Sequence, residues 1–326
     1  MNCKSLLLAT VLASATAIGS AQAADIITKA PPMAAPAPFF LFVDNQISYW
    51  HEFSGAEPGV GRPIQKDIVS LTHFDVWRMG TNFVNIDFLK SDNHDPAAPW
   101  GGVGFPIPAG GIGQGALEVY GLYRGTLGWN ELFGTKAFTF GPVKDISFYY
   151  GGDANTKNTA FAPQKDLIVA GLQVAFAVPG YFNVAVAMHK EWNHNGIVPE
   201  LQAIGVGCPG ACAENVSFNP TVVIESQYMQ PLNFWAGLPL RFSGFTNIVF
   251  PKGKDGFGNQ TKTEVLTDNR LTLDLGKMTM GKADLVDLFG GYRYWLNKFG
   301  NDHTIPANNA SIEGTYYVGM ALHMPK

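Results

Sequence analysis

The residues best suited to chemistry in this chain do not gather into a catalytic motif; they alternate. In "LTHFDVW", His73, Asp75 and Trp77 fall two apart. In "NFVNIDFLKSD", Asn85 and Asp87 alternate with Val84, Ile86 and Phe88, and in "YWHEF" His51 and Phe53 share one parity. An extended chain places residues two apart on one face. Such faces offer hydrogen bonds, charge and aromatic planes to a small solute. Glu118, Arg124, Arg241, Arg293 and Glu313 add ionisable groups at similar positions. Bond-breaking machinery is not evident. No G-x-S-x-G elbow occurs, and "HEFS" (51–54) and "HDP" (94–96) give the only hints of a serine–histidine lipid hydrolase. We expect no enzyme and no cofactor. Cys208 and Cys212, in "CPGAC", read as a small disulfide-closed loop, since a metal site would want a second ligand pair.

The elements that must position these residues follow from composition and period. The chain has 326 residues, 46% hydrophobic and 13% aromatic, with only 15% charged. Soluble domains average about 25% charged. The net charge of -4 offers no basic surface for nucleic acid. Residues 1–23 read as a secretion signal: Lys4, then an apolar run from Leu6, then the small-residue site "AQA". Residues 24–39 form a Pro/Ala-rich segment, too proline-dense for a helix or central strand. The remainder, 40–326, carries no apolar run long enough for a membrane helix; "LIVAGLQVAFAV" (167–178) is short and holds Gln173.

The period in that remainder is two. Strands are expected near 40–53, 67–78, 82–91, 115–125, 144–152, 165–177, 181–192, 218–229, 239–250, 262–275, 287–297 and 311–324. Their connections alternate. "MGT" (79–81) and "PG" (179–180) are tight, whereas 91–115, 196–217 and 251–262 are long and polar or rich in Gly and Pro. Two segments break the rule, 127–142 and 277–286, and the first has room for a small helix. The expected fold class is all-β: a transmembrane antiparallel β-barrel of about twelve strands, with short periplasmic turns and long extracellular loops. Val84, Ile86 and Phe88 would meet lipid, and Asn85 and Asp87 a wet interior. A soluble β-sandwich with one wet face is the alternative; low charge, abundant aromatics and the secretion signal favour the membrane. Aromatics near strand ends, "YWHEF", "FYY" (148–150) and "YRYW" (292–295), suit interfacial girdles.

"SYWHEF" (48–53), "LTHFDVWRMGTNFVNIDF" (71–88), "FTFGPVKDISFYY" (138–150) and "SGFTNIVF" (243–250) resemble the nucleoside-specific channel-forming outer-membrane porins, Tsx-like and OmpK-like. The resemblance runs over roughly 40–324. It implies a monomeric twelve-stranded barrel in the bacterial outer membrane, with membrane lipid and small solutes, nucleosides among them, as partners. It also implies that Phe53 is a channel aromatic. On the residues alone, Phe53 and Trp77 serve equally as interfacial anchors. The expected channel set is Phe53, His51, His73, Asp75, Trp77, Asn85, Asp87, Glu118, Arg241, Arg293 and Glu313. The expected function is passive, substrate-preferring diffusion. A general porin or a structural or receptor barrel is the alternative.

Overall fold

Hydrogen bonding decides the architecture. Strands of alternating side chains leave backbone donors and acceptors at both edges, and an edge in hydrocarbon has no water to satisfy it. The computed structural model describes residues 38–57, 63–95, 115–158, 163–194, 212–232, 237–305, 308 and 310–324. Expectations for the leader 1–23, for most of 24–39 and for Cys208 lie outside them. Cys212 is disulfide-bonded.

The strands are β1 (Phe40–Gly55), β2 (Ile64–Trp77), β3 (Gly80–Ser91), β4 (Leu117–Gly128), β5 (Val143–Lys157), β6 (Gln164–Phe176), β7 (Tyr181–His194), β8 (Asn215–Ser217), β9 (Thr221–Pro231), β10 (Leu240–Val249), β11 (Glu264–Asp274), β12 (Val286–Leu296) and β13 (Ile312–His323). Setting aside the three-residue β8, which pairs only with the end of β7, twelve strands run antiparallel in sequence order. β1 pairs β13 from Gln46–His323 to Glu52–Tyr317, and β6 pairs β7 throughout. The sheet therefore closes on itself. Among the described residues, the helical elements are Trp129–Leu132, within the expected 127–142 segment, Leu275–Met280 and the 3-10 turn Lys298–Gly300. Among the described residues no helix is long and apolar enough to cross a membrane.

β1 begins and β13 ends at the same end of the barrel, which we call the turn end. There Arg78–Met79 and 177–180 connect strands tightly, while 129–142 and 275–285 hold the two short helices. The opposite end, which we call the loop end, carries the described stretches 92–95, 212–220 and 250–263.

The two faces of the wall are inverted relative to a soluble protein. On β13, Tyr316, Val318, Met320 and Leu322 are outside and each more than half exposed. Their alternates Glu313, Thr315, Tyr317, Ala321 and His323 are buried inside. On β3, Val84, Ile86 and Phe88 pair with the outward His73, Leu71 and Val69, while Asn85 and Asp87 pair with Thr72 and Ser70 and line the interior. Glycines make room for rings on both faces. A Cβ on Gly125 would lie 2.6 Å from the Tyr123 hydroxyl and 2.7 Å from the Tyr150 ring, on the outside. One on Gly319 would lie 2.5 Å from the Trp50 Cβ and 2.6 Å from the Phe289 ring, on the inside.

The wall's polarity gives a first prediction. Val186 lies mid-way along β7, faces outward and is 54% exposed. Val186→Arg should lower the unfolding free energy in bilayers by about 2–4 kcal/mol, the cost of a cation at mid-depth on a lipid face. Urea titration in lipid vesicles measures it, and an unchanged midpoint would show that this face does not meet hydrocarbon.

Candidate functional site: the barrel lumen

The inward side chains enclose a cavity of 2210 Å³ lined by residues from all twelve long strands. Most of its charges are arranged as partnered groups spread from one end to the other, because an inward charge without a partner would lose solvation in a narrow space.

At the loop end, Glu57 follows β1 and its carboxylate is shared among Lys66 at 3.2 Å, Lys157 at 3.7 Å and Lys298 at 3.7 Å. These lysines come from β2, β5 and the 3-10 turn after β12, so one carboxylate ties three sectors of the rim. Lys157 also meets Asp95 and Glu118, and Lys298 meets Glu313 at 2.7 Å. Burial alone would raise the Glu57 carboxyl, but the charges of Lys298, Lys157 and Lys66 outweigh it and hold it well below the usual carboxylate range. On the other side of the rim Glu191 is held by Lys252 at 2.6 Å, His189 at 3.1 Å and Lys165 at 3.8 Å.

Midway, Arg124 on β4 donates from two nitrogens to Glu225 on β9, at 3.0 and 3.1 Å, and also to Asp153. β4 and β9 stand four places apart in the wall, so this pair is a strut across the passage. Tyr149 donates to the same Glu225, and Tyr120 donates to Asp153 at 2.8 Å. Arg293 donates to Asp268 at 3.0 Å and reaches Glu52 at 3.8 Å. Trp50 donates to Ser70 at 3.0 Å, and Asn85 donates to Asp87 at 2.7 Å. At the turn end Arg241 meets Asp287 and Asp284, and His323 sits between Asp44 at 2.9 Å and Asp287 at 3.0 Å.

Of the expected channel set, Asn85, Asp87, Glu118, Arg241, Arg293 and Glu313 line the lumen. Trp77 lines its turn end and stacks on Phe39 at 5.7 Å. Four members do not line it. On β1 the inward parity is even, through Ser48, Trp50 and Glu52, so His51 and Phe53 point outward. Phe53 is 45% exposed, packs edge-on to His51, and serves as an outer aromatic near the loop end. "YWHEF" carries rings on both faces, and only the register to β13 separates them. His73 and Asp75 also face outward, because Thr72, Phe74 and Val76 point in. They are held there by local partners: His73 bonds Asn45 at 2.7 Å and Asp75 at 3.0 Å, and Asn82 donates to Asp75 at 3.0 Å. That mutual satisfaction lets an almost wholly buried Asp75 stand on the outer wall near the turn end.

Glu57, Glu225, Tyr149 and Arg270 were not among the expected residues. The inward parity of β5, β9 and β11 flags the last three, but nothing in the sequence brings the post-β1 segment over the rim. Neither sequence hint of a hydrolase survives as a pair. His51 bonds Asp67 at 2.8 Å on the outside, while Ser54 bonds Thr315 at 3.4 Å, and His94 bonds Asp92.

No family model matches the chain, and no curated protein matches it. Among solved structures, the KdgM porin aligns with a TM-score of 0.37 at 8% identity, over 86% of this chain and 99% of that one. The translocator domain of the autotransporter NalP from Neisseria meningitidis aligns with a TM-score of 0.39 at 11% identity, over 86% and 88%. The β domain of the Bordetella autotransporter Brka gives 0.34 at 10%, over 86% and 98%. At these values the reading of the lumen rests on its own geometry.

The rim cluster has a pH signature. A carboxyl held low when folded contributes stability above the pKa it has unfolded, and loses it as pH falls through the folded value. The Glu57 tie should therefore persist from pH 7 down through the ordinary carboxylate range and open only in stronger acid. Glu57→Gln should remove it at every pH, raising open-channel conductance already at pH 7. Bilayer recordings of both proteins between pH 7 and pH 3 check this; equal conductance at pH 7 would show that Glu57 does not narrow the mouth.

Proposed function

We propose that this chain is a passive channel of the bacterial outer membrane for nucleosides or similar small polar solutes. The turn end then faces the periplasm and the loop end the exterior. One observation carries the reading: a continuous polar, charge-lined lumen inside a wall whose outer face is mostly apolar, its outward polar groups on β1 and β2 paired with one another near the strand ends. A structural or receptor barrel has no need of a cavity lined along its whole height.

The chemistry of the lumen suits weak, oriented passage. Half-buried Phe74, Phe83, Phe245 and Phe257 offer ring faces beside donors and acceptors such as Asn85, Ser243, Asn247 and Asp255. A nucleoside has a flat base and a hydroxyl-rich sugar, and base stacking on one ring contributes about 1–3 kcal/mol. A channel must also release what it binds, so a few such contacts are enough. With Phe53 outside, the stacking partners are drawn from this inner set. The nucleoside preference itself rests on the four stretches of sequence resemblance, and the partnered lumen charges are compatible with an uncharged solute.

The test is single-channel current of the purified protein in planar bilayers. Stable openings are expected, with current reduced reversibly by adenosine and less by glucose or glycine at equal concentration. Phe83→Ala should weaken the adenosine block, and Phe53→Ala should leave it unchanged. Openings with equal block by all three solutes would leave a general porin, and the absence of openings would remove the channel.

A further inference from the structure

The lumen arginines on the strands are not equivalent. Arg124, Arg241 and Arg293 each meet two carboxylates. Arg270, midway along β11 and half-buried, forms no ion pair among the described residues. Its partners are aromatic instead. The guanidinium carbon lies 4.1 Å from the Phe289 ring centroid and 5.6 Å from that of Tyr317. Its Nε donates to the Tyr317 hydroxyl at 3.5 Å, and that hydroxyl in turn donates to Asp268. Phe289 and Tyr317 are buried, at 3% and 1% exposure, so the floor beneath the guanidinium is fixed. Its neighbours across the register are small, Ser243 on β10 and Gly291 on β12, and the space beside Gly291 is taken by the Tyr317 ring of the floor.

This arrangement uses one face and the Nε edge of the guanidinium, and among the described residues neither terminal nitrogen has a hydrogen-bond partner. A planar fork held in that way matches an oxyanion bidentately, and stacking on a ring removes part of the entropy that a free arginine would lose. We infer that Arg270, Phe289, Tyr317 and Ser243 form a subsite for solutes carrying a carboxylate or phosphate group, with the open face of the guanidinium available to a flat ring. This rests on the reading of the lumen as a solute passage and adds to it: neutral solutes pass, and those bearing an oxyanion are held at mid-depth.

Benzoate, inorganic phosphate and the neutral benzyl alcohol are the probes, each applied to single channels of the wild type, Arg270→Gln and Arg270→Lys. Benzoate or phosphate should block the wild type at concentrations at least about tenfold below those needed for Arg270→Gln, the difference expected for losing a charge-assisted bidentate contact. Benzyl alcohol should not discriminate between them. Arg270→Lys should keep the wild-type reversal potential in a salt gradient but lose most of the block, because it retains the charge without the fork. Stronger block by benzoate assigns the site to ring carboxylates, and stronger block by phosphate to phosphate esters. Equal block of wild type and Arg270→Gln would overturn the proposal, as would benzyl alcohol acting as well as benzoate. Should no channels open, the passage reading fails, and calorimetric titration of the detergent-folded protein with benzoate and phosphate still decides the subsite.

Discussion

Everything in this structure depends on backbone amides having no water to turn to along the outer wall. A peptide group left unpaired in hydrocarbon costs several kcal/mol, so the sheet must run until it meets itself. The joins between β1 and β13 and between β6 and β7 are unbroken antiparallel ladders, and ten more antiparallel ladders, two of them with register shifts near strand ends, complete the ring. Closure fixes the rest. Side chains of one parity are committed to lipid and those of the other to a cavity that the same geometry prevents from filling completely. A twelve-stranded wall is too wide for its inward side chains to pack into a dry core, unlike an eight-stranded one.

What occupies that interior is therefore decided by electrostatics rather than by hydrophobic packing. Apolar clusters exist inside, as where Trp50, Ile68, Phe289, Tyr317 and Ala321 pack together, but they are small. Between them carboxylates and cations are placed within reach of one another across strand boundaries and, for Arg124 and Glu225, across the passage. Partly desolvated pairs in such a space interact more strongly than pairs on an open surface. Each tie holds two sectors of wall at a set distance, so the ion pairs limit the passage as well as lining it. Glu57 does at the rim what Glu225 does midway: one carboxylate collects donors from several strands and draws them inward.

Much of the wall was legible in the sequence, because a two-residue period and alternating loop lengths are local properties. All twelve long strands lie within a few residues of where alternation placed them, and the inward assignment of Asn85, Asp87 and Glu313 followed from their apolar alternates. Parity was unreadable where both faces of a strand carry the same residue types. "YWHEF" has aromatics at Tyr49, Trp50 and Phe53, and "LTHFDVW" mixes polar and apolar residues on each face. In those stretches the register to the neighbouring strand decides, and register is a property of two strands. Long-range ties such as Arg124 with Glu225, or the fold-back of Glu57, have no local signature at all.

The charged residues that are easiest to find in the sequence are, for the same reason, mostly not those a solute would encounter as charges. An arginine matched by two carboxylates presents little field beyond its own contacts, and its donors are already occupied. Where such pairs line the passage it is wet and narrow and its local field is weak, which gives an uncharged solute no deep well to fall into. Discrimination must then come from the few groups whose hydrogen-bonding capacity is not consumed by the wall. In this lumen those are half-buried rings, amides and hydroxyls, together with a guanidinium whose partners are aromatic. Replacing carboxylate partners by ring faces keeps a cation fixed in place without neutralising it. The selectivity of such a passage is therefore set less by how many charges line it than by which of them the barrel has left unpaired.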